Sequence, residues 1–132
     1  MKPQVDLANF NPLTHKVIGC AMQVHRVLGT GFQEVIYQRA LAIELAQQGI
    51  AAQRELEMSI YYRDQELGAR RVDFLVEGKV LVELKALAEL THTHHAQIIN
   101  YLEAIRLPIG LLINFGAPVL EFKRFVKTHP VY

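Results

Sequence analysis

Arg71-Val72-Asp73-Phe74-Leu75-Val76-Glu77-Gly78-Lys79-Val80-Leu81-Val82-Glu83-Leu84-Lys85 is the stretch on which the fold turns. Strand side chains alternate between faces, so Val72, Phe74 and Val76 share one side and Arg71, Asp73 and Leu75 the other. After a short break, Val80, Val82 and Leu84 share a face, opposite Leu81, Glu83 and Lys85. The length of the connection decides which faces coincide. A three-residue loop, Glu77-Gly78-Lys79, pairs Val76 with Val80 and therefore Asp73 with Glu83. A two-residue loop pairs Val72 with Glu83 and sets an acid among valines. Register follows the buried face, so the longer loop is expected, with Gly78 free to turn left-handed. Asp73 and Glu83 then lie directly across the ladder, with Cβ atoms about 5 Å apart.

Working outward, Leu56, Met58, Ile60 and Tyr62 alternate with Glu55, Glu57, Ser59 and Tyr61, the pattern of a half-buried strand that ends at the turn Arg63-Asp64-Gln65. Asn11-Pro12 starts a helix carrying Val17, Ala21, Val24 and Leu28 at helical spacing, and Gly29 stops it. A second helix is expected from about Phe32 to Gln48. It is so poor in charge that burial on most sides is expected. Thr91 or Thr93 caps a third helix that continues to about Arg106, and Pro108 marks its exit. Ile109 to Phe115 is an apolar run typical of a buried strand, and Glu121 to Val126 suits an edge strand. The order is ααβββαβ(β), an α+β arrangement with a mixed sheet flanked by helices. No linker or repeat divides the 132 residues, so one domain is expected, with its core at about residues 11–126.

An apolar share of 51% is enough to build a core and argues against disorder. The single cysteine, Cys20, excludes an internal disulfide framework and suits a reducing compartment. Met1 to Asp6 lacks the basic-then-apolar pattern of a secretory leader. The longest uncharged run, Leu107 to Leu120, has 14 residues, short of the roughly 20 needed to span a bilayer. A cytoplasmic protein without a membrane partner is therefore expected. The net charge of +1 does not advertise a nucleic-acid binder, yet it says nothing about local fields.

Two opposed acids repel unless a positive charge lies between them, and a divalent cation such as Mg²⁺ resolves that conflict with oxygen ligands. Lys85 lies two residues beyond Glu83 on the same face, within reach of a phosphate held there. The structural alternative is a Glu83–Lys85 pair with Asp73 bridged to Arg71. On the third helix His94, Gln97 and Tyr101 form a stripe about 60° wide. His92, His94 and His95 lack the convergent partners of a zinc site, so His94 is expected to cap or to face solvent.

Asp73, followed after an interval by Glu83-Leu84-Lys85, resembles the PD-(D/E)xK nuclease signature, although no proline precedes Asp73. Within that superfamily the chain is similar to the GxxExxY proteins. The motif stands here as Gly31-Phe32-Gln33-Glu34-Val35-Ile36-Tyr37, preceded by Val24-His25-Arg26-Val27-Leu28-Gly29-Thr30. His94-His95-Ala96-Gln97, Asn100-Tyr101-Leu102 and Gly110-Leu111-Leu112-Ile113-Asn114-Phe115 resemble its later blocks. The resemblance implies a restriction-endonuclease-like αβββαβ core with an extra N-terminal helix, and Mg²⁺- or Mn²⁺-dependent hydrolysis of phosphodiester bonds. It makes Glu34 an additional acid, in the first helical turn where the dipole favours a carboxylate. Gln97 becomes a polar residue that contacts phosphate or supports Lys85. On this reading Asp73, Glu83 and the Leu84 carbonyl hold the metal, Glu34 assists directly or through water, and Lys85 acts on the attacking water or the transition state. Tyr37 orients Glu34 or packs in the core, and packing is favoured. The expected partner is nucleic acid, with DNA favoured over RNA. Two other readings stand beside this one: a catalytically silent binding or assembly module, which the near-neutral charge favours, and a homodimer similar to Holliday-junction resolvases.

Overall fold

The structure, a computed structural model, describes residues 11–127, so the Met1–Asp6 start discussed above lies outside it. Helices α1 (Asn11–Leu28) and α2 (Glu34–Gln47) precede strands β1 (Ala52–Tyr62), β2 (Gln65–Val76) and β3 (Val80–Lys85). Helix α3 (His92–Ile105) leads to β4 (Ile109–Asn114) and β5 (Glu121–Val126). The five strands form one sheet in chain order. Only β3 and β4 are parallel, and α3 supplies the crossover that a parallel pair requires.

Two apolar clusters, one on each side of the sheet, explain this architecture. Val17, Ala21 and Val24 of α1 join Tyr37, Leu41 and Leu45 of α2 against Phe74, Val76, Val80, Val82 and Leu84. Ile98, Leu102 and Ile105 of α3 pack with Leu81, Leu112 and Phe125. Covered on both faces, β4 is buried at all six positions, which is why it reads as a continuous apolar run. α1 ends where Gly29 adopts φ +68°. The Asn11 side-chain oxygen, at the start of α1, accepts a hydrogen bond from Arg124 on β5.

The hairpin between β2 and β3 has the expected three-residue loop, with Val76 opposite Val80, Leu75 opposite Leu81 and Phe74 opposite Val82. Glu77 and Gly78 turn at φ +53° and +66°, closed by the Lys79 N–H on the Val76 carbonyl at 2.9 Å.

Two expectations need correction. α2 is not enclosed: Tyr37, Gln38, Leu41 and Leu45 form one buried stripe, while Ile43 is 59% exposed. Low charge marks a helix that can be buried, but α1 and the sheet cover only one side of it. The second correction concerns Val72, which packs on the α3 side rather than with Phe74 and Val76. β2 switches faces between Val72 and Phe74. Opposite the switch, Glu55 of β1 takes φ +53°, and the ladder passes from Arg54–Phe74 to Leu56–Val72 without a Glu55–Asp73 step. Asp73 is the pivot residue.

Candidate active site

Asp73 is held from two directions at this pivot. Its Oδ2 accepts the Leu84 N–H at 2.8 Å, and its Oδ1 accepts the Gln38 side-chain N–H at 2.8 Å. These bonds aim the carboxylate between α2 and β3. Gln38 is buried, and Arg54 donates to its Oε1 at 3.4 Å. Sequence reasoning missed Gln38. The available signal was its position one helical turn after Glu34, which places both on one face of α2.

Glu83 lies on β3 with only 5% of its surface exposed. Burial raises its pKa to about 7, and the charge of Asp73 pushes the same way. The opposing cation is neither Arg71 nor Lys85. Arg70 donates from Nη1 to Oε1 at 2.9 Å and from Nη2 to Oε2 at 3.4 Å. Its guanidinium lies 3.8 Å from the centre of the Tyr101 ring on α3. Burial works against the Arg70 charge, but Glu83 offsets this and holds its pKa above the ordinary value. The face switch explains the choice of partner. Arg70 and Val72 face α3, as Glu83 does, whereas Arg71 is exposed.

Lys85 ends β3 half-buried, with its backbone carbonyl tied to the Phe115 N–H at 2.9 Å. Its positive charge favours the ionised forms of both Glu83 and Glu34, so it serves both acids. Glu34 opens α2. Although much of the residue is exposed, its carboxyl is raised above the ordinary range, first by partial burial and then by Asp73. Glu34, Asp73, Glu83 and Lys85 therefore share one electrostatic neighbourhood.

Tyr37 explains the shape of the loop before Glu34. Its hydroxyl donates to the Gly29 carbonyl at 2.6 Å and accepts the Phe32 N–H at 3.3 Å. Its ring stacks on Phe115, with centroids 4.7 Å apart. The side chain packs, as expected, and also ties down the left-handed turn at Gly31, φ +103°. On α3, His94 caps: its Nδ1 accepts the Thr91 N–H at 3.1 Å. Gln97 is exposed, one turn before Tyr101, and no hydrogen bond joins it to Lys85 among the described residues.

Among the described residues, no three His, Cys, Asp or Glu side chains gather tightly enough to form a metal cluster by themselves. What Asp73 and Glu83 offer is a pair of oxygen donors, one of them buried and raised in pKa chiefly by its loss of hydration. That donor set fits a hard divalent cation that keeps several waters. Cavities of about 410 and 580 Å³ lie along α1 and are lined by none of the four site residues. No described helix is long and apolar enough to cross a membrane.

No curated protein matches the chain. Among solved structures, the crystal structure of SSO0001 aligns with a TM-score of 0.57 and 18% identity, over 71% of this chain. This chain spans about half the length of that protein, at 50% coverage, and the likeness is one of fold. The profile of the PD-(D/E)XK nuclease superfamily matches residues 11–125, which include every element from α1 to β4 and nearly all of β5. By that match, and by the mixed sheet flanked by helices that carries Asp73 on β2 and Glu83-Leu84-Lys85 on the neighbouring β3, the chain belongs to the PD-(D/E)XK nuclease superfamily.

Proposed function

We propose that this protein hydrolyses phosphodiester bonds in nucleic acid, DNA in preference to RNA, using Mg²⁺ or Mn²⁺ held by Asp73 and Glu83. The observation that carries the reading is the buried Glu83 carboxylate on β3, which feels the charge of Asp73 and is raised to about 7. Burying such a group costs hydration, and a divalent-cation site is where that cost serves a purpose. A bound cation supplies Lewis acidity toward the scissile phosphate and acidifies an attacking water. The protein does the rest. The Leu84 N–H and Gln38 fix Asp73 in place. The Leu84 carbonyl is a third oxygen within the same motif. Lys85 orients the attacking water or stabilises charge developing on the phosphate. Glu34 takes up a proton or holds a water at the edge of the site, and its raised pKa suits that role. Gln97 lies on the exposed helix face from which a phosphate would approach.

Incubating the protein with single-stranded, duplex and branched DNA and with RNA, each with Mg²⁺ or Mn²⁺, tests the proposal. Cleavage that disappears in Asp73→Ala and Lys85→Ala supports it. Absence of cleavage on every substrate, or equal cleavage by the variants, overturns it.

The Arg70–Glu83 ion pair favours a second reading, a binding or assembly module that has kept the fold without catalysis. Calorimetric titration separates the two, since a module shows no Mg²⁺ binding at millimolar concentration. Light scattering tests whether a second copy supplies the positive surface that a net charge of +1 does not promise.

A further inference from the structure

Arg70 lies outside every motif discussed above, yet it makes the closest contact to the most buried acid of the site. Its fork engages both Glu83 oxygens, so the carboxylate is held by a cation without any metal, although its charge is offset only in part. The two side chains differ in access: 25% of the Arg70 side chain is exposed and 6% of Glu83. Arg70 can therefore leave toward solvent, while Glu83 stays in place. It need not leave far, because the Tyr101 ring already supports the guanidinium face at 3.8 Å. Tyr101 is one turn from the exposed Gln97, so a guanidinium held on that ring sits at the rim of the site.

We propose that Arg70 is an internal counter-ion that competes with the divalent cation for Glu83 and, once displaced, remains on Tyr101 as a contact for the substrate's phosphate. The inference rests on reading Asp73 and Glu83 as metal ligands. A cation and a guanidinium cannot share the same two carboxylate oxygens without mutual repulsion. Loading the cation opens the fork, and a polyanion that draws Arg70 outward eases loading. By linkage each event favours the other by the same factor. Idle metal binding is thereby weakened until substrate is present.

The test is calorimetric titration of Mg²⁺ at pH 8.5 into wild type, Arg70→Gln, Arg70→Lys and Arg71→Gln. Circular dichroism checks the fold of each variant. Arg71→Gln removes the same charge one residue away without touching Glu83. The proposal expects about tenfold tighter Mg²⁺ binding in Arg70→Gln, the scale of one lost charge-assisted competitor. Arg70→Lys, which keeps the charge but loses the fork, should lie between wild type and Arg70→Gln. Arg71→Gln should change affinity less than twofold. Unchanged or weaker binding in Arg70→Gln overturns the counter-ion role while leaving Asp73 and Glu83 as ligands. Equal tightening in Arg71→Gln also overturns it, because general charge then explains the effect. If no variant binds Mg²⁺, the reading of the metal site itself fails. Arg70→Lys is the conservative variant that keeps the test decisive if Arg70→Gln does not fold.

Discussion

Replacing Glu83 by glutamine in the absence of divalent ions should make the protein more stable at neutral pH and leave it unchanged in acid. The folded protein holds Glu83 at about 7 against an ordinary value of 4.5. The cause is loss of hydration first and the Asp73 charge second, with Arg70 and Lys85 offsetting part of both. A folded-state pKa above the unfolded one means that the folded protein binds the extra proton. The stability linked to Glu83 is therefore fully present below about pH 4.5 and is lost as pH rises through about 7. At about 1.36 kcal/mol per pH unit, the rise from 4.5 to about 7 corresponds to roughly 3 kcal/mol. Glutamine keeps the shape and still offers an oxygen to Arg70, but it carries no charge to desolvate. Urea unfolding of both proteins at half-unit intervals from pH 4 to 8, with chelator present, gives the difference directly. That difference should be near zero at pH 4 and reach about 3 kcal/mol in favour of Glu83→Gln by pH 8. Adding Mg²⁺ at pH 8 should stabilise wild type and not the variant, since only the folded carboxylate pair binds the ion. A difference that stays flat with pH, or that favours wild type at pH 8, would refute the reasoning, because Arg70 would then neutralise the buried acid completely.

Three further outcomes follow from particular contacts. Tyr37→Phe removes the hydroxyl that joins Gly29 to Phe32, and should lower unfolding free energy by about 1–2 kcal/mol while reducing the proposed nuclease activity through a loosened Glu34, measured on the same preparation. Gly116→Ala places a Cβ 2.4 Å from the Leu87 backbone, and should lower stability by more than about 3 kcal/mol or abolish soluble expression. Asn114→Ala removes a fully buried side chain that bonds the N–H and carbonyl of Leu87 at 2.8 and 2.9 Å and Glu121 at 2.8 Å. It should lower stability by about 2–4 kcal/mol, read by chemical denaturation, and increase hydrogen exchange in the segment that follows Lys85.

The elements legible in the sequence were those set by local rules. β4 was found because the uncharged run from Ile109 to Ile113 needs cover on both sides, and α1 because its apolar spacing ends at a glycine that turns left-handed. The β2–β3 register was legible because a one-residue slip buries an acid, so the valines of both strands determined the loop length. The paired ladder ends at Phe74–Val82, and beyond it Asp73 meets β3 through the Leu84 N–H.

Spacing along the chain by itself determined the register of the β2–β3 hairpin, since alternation and loop length are short-range geometry. Three things were decided only in three dimensions. Val72 packs under α3 rather than with Phe74 because the irregularity at Glu55 in the neighbouring strand makes β2 change faces, and a single strand's pattern carries no record of its neighbour. Gln38 reached Asp73, and Arg70 rather than Arg71 or Lys85 reached Glu83, because α2 and that face switch brought them there from 35 and 13 residues away. The rise of Glu83 to about 7 depends on how much water the folded chain removes from around it, and desolvation is a property of packing rather than of sequence.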